Sequence, residues 1–146
     1  MGRGYPSPMR YHVYTDGAAR GNPGPAAIGI VVLDEAGHTV YESSRTLGVH
    51  TNNEAEYLAL IAAVEYLKDS RVGAADFHMD SELVVRQLRG EYKVKEPRLK
   101  ILHARATMLL NAVPKHTIRH VPRAKNARAD ELANEALDAE GKAPPA

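Results

Sequence analysis

The sequence contains no cysteine, so disulfide staples and thiolate metal centres are both excluded. No apolar run approaches the roughly 18 residues that a membrane-spanning helix needs. The opening stretch, Met1 to Pro8, is too short and polar for a secretory signal, so a cytoplasmic protein without a membrane partner is expected. Gly17 to Gly24 is rich in glycine, but no Gly-Lys-Ser/Thr follows it, which removes a phosphate-binding P-loop. The seven histidines show no zinc-site spacing, although His116 and His120 would share one strand face. Internal repeats and low-complexity tracts are also lacking.

What is present describes one ordinary globular domain. The chain has 146 residues, 44% hydrophobic and 25% charged, enough to bury a core without staples. Its net charge of +1 conceals an uneven distribution. Residues 34–82 carry ten acids against three bases, whereas residues 83–129 carry twelve bases against two acids. An acidic patch beside a basic one suits an enzyme that holds cations next to a polyanion. Solvated helix faces are the plainer explanation of any one basic cluster.

Residues 1–9 read as a flexible arm and 139–146 as a flexible tail around a single domain, 10–138. From Arg10 to Thr15 the side chains alternate with period two, which predicts a strand ending at Asp16. Ala26 to Leu33 reads as a second strand, and Asp34-Glu35-Ala36-Gly37 as a hairpin into a third, Thr39 to Thr46. Residues 54–68, rich in alanine and leucine and preceded by Thr51, Asn52 and Asn53, predict a largely buried helix. Ala74 to Met79 is a short strand before a helix at Glu82 to Leu88, and so lies parallel to the first strand. After a basic connector come a helix from Arg98 to Ala112, a strand from Thr117 to Val121 and a last helix from Lys125 to Leu137. The order predicts an α/β fold: a mixed five-stranded sheet, its first three strands antiparallel, flanked by helices.

Four acids stand where this topology can gather them. Each has a local explanation: Asp16 begins an Asp-Gly turn, Glu56 follows Asn53 at capping-box spacing, Asp80 or Ser81 can cap a helix, and Asp130 complements a helix dipole. Taken together, Asp16 and Asp80 fall at the carboxyl ends of adjacent strands, and Glu56 and Asp130 begin helices that reach the same edge. Carboxylates so gathered repel one another unless cations neutralise them. Oxygen donors favour magnesium or manganese over zinc, and two such ions roughly 3.5 to 4 Å apart are the usual apparatus for phosphodiester cleavage.

Thr15-Asp16-Gly17 with Gly21 to Pro25, Thr51 to Glu56, Met79-Asp80-Ser81 and Asn126 to Ala133 together resemble the type 1 ribonucleases H. The likeness runs from about Arg10 to Asp138. The resemblance implies the ribonuclease H-like fold and hydrolysis of the RNA strand of RNA/DNA hybrids, with two Mg2+ ions or Mn2+, leaving 5′-phosphate and 3′-hydroxyl ends. It implies that Asp16, Glu56, Asp80 and Asp130 hold the metal. Asn22 and Asn52, with the backbone near Gly17 and Ser81, would read ribose 2′-hydroxyls, and Thr51 would face a DNA phosphate.

Two departures from the family pattern stand out. The interval from Arg89 to Arg98 is too short for the basic protrusion of many members, which leaves Lys93 and Lys95 to contact the DNA strand. The mobile histidine of many members aligns with His120, which reads as strand, so Arg123 is the preferred cation near the scissile phosphate. A monomer is expected. The rival readings are a broader nuclease that also cuts double-stranded RNA, and an inactive hybrid-binding domain of the same fold.

Overall fold

A computed structural model describes residues 9–70 and 72–141. Five strands, β1 (Met9–Ala19), β2 (Gly24–Leu33), β3 (Thr39–His50), β4 (Val72–Met79) and β5 (Lys115–His120), form one sheet in the order β3-β2-β1-β4-β5. The meander β1-β2-β3 is antiparallel, and β4 runs parallel to both β1 and β5. The helices are α1 (Asn52–Lys68), α2 (Glu82–Leu88), α3 (Pro97–Leu110) and α4 (Ala127–Gly141), the last preceded by a 3-10 turn, Arg123–Asn126. No described helix is long and apolar enough to cross a membrane.

Strand alternation divides the core. Val13 of β1, Ile28, Ile30 and Val32 of β2, and Ala75, Phe77 and Met79 of β4 pack against α1 and α3. The opposite faces of β1 and β2 present Tyr14, Ala18, Ala27 and Val31 to the apolar side of α4. α1 is apolar around most of its circumference because it is wedged between the sheet and α3.

Several boundaries differ from the sequence reading. β1 does not end at Asp16: Asp16 still pairs with Gly29, and pairing continues to Ala19. What stops there is the other ladder, since the last pair between β1 and β4 is Tyr14 with His78. Asp16 and Asp80 each lie two residues beyond that pair, so both stand at the mouth where the two strands part. β3 runs on to His50 past a bulge at Gly48, whose φ of +85° suits glycine. β5 starts and ends earlier than expected, and α3 starts at Pro97, which its fixed φ favours at a first helical position.

The proposed arm lies outside the described residues except for Met9, which pairs with Val72. Of the proposed tail, residues 139–141 continue α4, because no proline or left-handed residue intervenes before Gly141. The capping box of α1 belongs to Thr51 and Glu54: Glu54 N–H donates to Thr51 Oγ1 at 3.1 Å, and Thr51 N–H donates to Glu54 Oε1 at 2.8 Å. Glu56 is therefore released from the capping role its spacing suggested.

Two glycines seat the helices. A Cβ on Gly17 would overlap the backbone of Ala55 and Glu56 in α1, and one on Gly29 would overlap Ala129 in α4. Gly17→Ala should therefore cost about 1–3 kcal/mol or more, read as a lower urea midpoint. Unchanged stability would show that α1 does not need this approach.

Candidate active site

The carboxylates of Asp16, Glu56 and Asp80 converge, with one oxygen from each lying within 4.8 Å of the other two. Asp16 comes from β1, Asp80 from the residue after β4, and Glu56 from the first turns of α1. Glu56 is fixed by Gly17 N–H, which donates to its Oε1 at 2.7 Å. The same glycine thus lets the helix approach and orients the carboxylate that the helix brings.

Asp130 stands at the side of this trio, in the first turn of α4. It lines the same cleft, more exposed than Asp16 and Glu56, and its Oδ1 lies 3.7 Å from an Arg123 guanidinium nitrogen. Arg123 is itself 81% exposed, so that cation is free to swing over the cleft. His120 is the exposed last residue of β5, a position set by its register with Met79.

Burial and crowding disturb the acids strongly. Asp16 is pushed up to about 9, first by burial, then by the charges of Glu56 and Asp80, with Asp130 adding to the effect. Glu56 is pushed up to about 8 by burial, opposed by the Gly17 N–H and reinforced by Asp80 and Asp130. A group of acids that resists ionisation in this way is stabilised by a divalent cation, and the all-oxygen donor set fits a hard ion.

The other residues singled out from the sequence divide into two groups. Asn22 and Asn52 interlock: Asn52 N–H donates to Asn22 Oδ1 at 3.1 Å, and Ala19 N–H donates to Asn52 Oδ1 at 2.9 Å. Each amide group has thus committed its carbonyl and keeps its NH2 to donate, with Asn52 lining the cleft and Asn22 behind it through that hydrogen bond. Gly17 lines the cleft, Thr51 caps α1 and Ser81 caps α2, accepting from Val84 N–H at 3.3 Å. A hydroxyl that accepts in a cap retains its own hydrogen to donate. Lys93 and Lys95 are not brought to the cleft; they lie exposed on the connector between α2 and α3.

The sequence reading assigned no role to Asn126. Its side chain is buried, and its Nδ2 donates to Thr15 O at 2.9 Å and to Asp80 Oδ2 at 3.2 Å. It ties the last helix to β1 and orients Asp80. No local spacing signalled this role, because its partners lie 111 and 46 residues away.

The chain is similar to several known proteins. The family model described as reverse transcriptase-like matches residues 14–136. Ribonuclease HI of Halobacterium salinarum is 50% identical over 129 residues, covering 88% of this chain and 65% of that protein. The bifunctional protein Rv2228c of Mycobacterium tuberculosis is 43% identical over 90% of this chain, which spans 36% of it. The chain therefore spans less than two thirds of the length of these curated relatives. The crystal structure of the Halobacterium RNase H1 superposes with a TM-score of 0.86, covering 88% of this chain and 98% of that one. LC11-RNase H1 in complex with an RNA/DNA hybrid is 50% identical with a TM-score of 0.85, covering 90% and 99%.

The raised acids make stability depend on pH in a definite direction. From about pH 5 to 8, native Asp16 and Glu56 retain protons that the unfolded chain, with ordinary values of 3.8 and 4.5, has lost. In chelator, stability should fall as pH rises through that window, and added Mg2+ should raise the melting temperature more at the alkaline end. A flat melting profile, or equal Mg2+ stabilisation at both ends, would contradict the assignment.

Proposed function

The chain belongs to the ribonuclease H type 1 family, and from that premise we propose that it is a metal-dependent endoribonuclease that hydrolyses the RNA strand of RNA/DNA hybrids. The observation that carries this reading is the convergence of Asp16, Glu56 and Asp80 at the mouth between β1 and β4, with Asp130 beside them. The hybrid bound to LC11-RNase H1 supports the choice of substrate.

Asp16, Glu56, Asp80 and Asp130 would hold two Mg2+ ions, with Mn2+ as the alternative. When bound, such a pair supplies a more acidic attacking water and a stabilised leaving 3′-oxygen, which gives 5′-phosphate and 3′-hydroxyl products. The chain's own residues do the rest. Asp16, at the centre of the cluster, would serve both ions. Asn22 and Asn52 offer NH2 donors to ribose 2′-hydroxyls, the group that distinguishes RNA from DNA. The backbone at Gly17 and the Ser81 hydroxyl extend this recognition, and Thr51 donates to a phosphate of the DNA strand. Lys93 and Lys95, from their exposed connector, add salt-dependent attraction to the DNA backbone. Arg123 swings from Asp130 toward the scissile phosphate as it accumulates charge.

Incubation with labelled hybrid, single-stranded RNA and double-stranded RNA, in Mg2+, Mn2+ or chelator, tests the reading directly. Hybrid should be cut in either metal and spared in chelator; no cleavage of any substrate would overturn it. Asp80→Asn should reduce hybrid cleavage by about a thousandfold or more while binding remains measurable, and undiminished cleavage would remove Asp80 from the site. Arg123→Ala should lower turnover more than His120→Ala, and the reverse order would return that role to the histidine.

A further inference from the structure

On the sheet face opposite α1, β1 and β4 bring two histidines together that no spacing in the sequence connects. His12 and His78 are 66 residues apart, yet His12 Nδ1 lies 3.4 Å from His78 Nε2. As a hydrogen bond this is poor, since N–H donors prefer acceptors near 2.9–3.0 Å. Two imidazole nitrogens bound at roughly 2.0–2.1 Å to one tetrahedral ion would stand about 3.3–3.4 Å apart. The observed separation of 3.4 Å matches that spacing.

Three neighbouring features favour a ligand over a simple polar pair. The His78 ring has one polar engagement among the described residues, the 3.4 Å contact of its Nε2; its buried, unpartnered Nδ1 faces away and would carry the proton when Nε2 binds an ion. Its ring is held in place by Tyr14, stacked at a centroid distance of 4.5 Å. Asp76 Oδ2 lies 3.6 Å from His12 Nδ1, a carboxylate oxygen beside the pair whose charge Arg10 balances. That carboxylate is buried and held by Arg10 at 2.7 Å and by the Thr117 hydroxyl at 2.6 Å, so it is fixed in position.

We propose that His12 and His78 form a second cation site, distinct from the carboxylate cluster, for a divalent late transition-metal ion such as zinc or copper(II). The two sites differ in donor chemistry. Imidazole nitrogens select zinc, nickel and copper, whereas the carboxylates select magnesium or manganese, so both can be filled at once. The remaining positions on the ion belong to water, because His12 is 38% exposed. The ion would link β1 to β4 between two strands that carry Asp16 and Asp80 a few residues further on. This inference does not depend on the nuclease reading.

Calorimetric titration of the intact chain with Zn2+ and with Cu2+, in saturating Mg2+ to occupy the carboxylates, tests it. Wild type should bind one ion at this site. His12→Gln and His78→Gln should each weaken that binding at least about tenfold, or ~1.4 kcal/mol, while His38→Gln leaves it unchanged. Equal affinity in wild type and both variants would overturn the proposal. Should either variant fail to fold, wild-type proton spectra decide: sub-stoichiometric Cu2+ should broaden the His12 and His78 ring signals first. Earlier broadening of other histidines would overturn it equally.

Discussion

The candidate site depends on how closely α1 lies against β1. Helices pack on sheets through side chains, but at Gly17 the backbone of α1 takes the place a side chain would fill. That approach carries Glu56 to Asp16, and the freed N–H of Gly17 meets the Glu56 carboxylate at 2.7 Å. A second close contact, Gly29 against Ala129, seats α4 on the other side of the sheet and sets the height of Asp130. The two glycines pair with neighbours of the site across one ladder, Gly17 with Ile28 and Asp16 with Gly29. Packing on both faces is thereby referred to one pair of strands, β1 and β2.

The cost of that arrangement is electrostatic. Burying Asp16 and Glu56 beside Asp80 leaves them reluctant to ionise, and among the described residues only Arg123 approaches the edge of the group as a cation. Elsewhere the protein neutralises its buried acids internally: Asp76 is held by Arg10 and Thr117, and Glu54 by its own helix cap. At the β1–β4 mouth that neutralisation is left undone. A site that destabilises the free protein in this way is stabilised by the cations it binds, so folding and function are linked there through the same charges.

The β1–β4 pair also organises the opposite face of the sheet. Parallel pairing brings His12 beside His78 and Asp76, and Tyr14 stacks on the second imidazole. Hard and borderline donor sets thus occur on the same two strands, separated by the end of the ladder. Imidazole gathers where the strands are paired and carboxylate where they part.

Much of this was legible in the sequence because it is local. Period-two alternation marked β1, an apolar run and a hairpin signal marked β2 and β3, alanine and leucine marked α1, and the acids at strand ends and helix starts were placed by element order alone. Ladder ends were less legible, because a strand can leave one neighbour while keeping another, and only the pairing with Gly29 shows that β1 continues through Asp16. The choice of Thr51 and Glu54 over Asn53 and Glu56 for the cap was likewise settled by which residue begins the helix. The roles of Asn126 and of the His12–His78 pair could come only from tertiary structure. Their partners lie 46 and 66 residues away, and register between distant strands leaves no trace in local spacing.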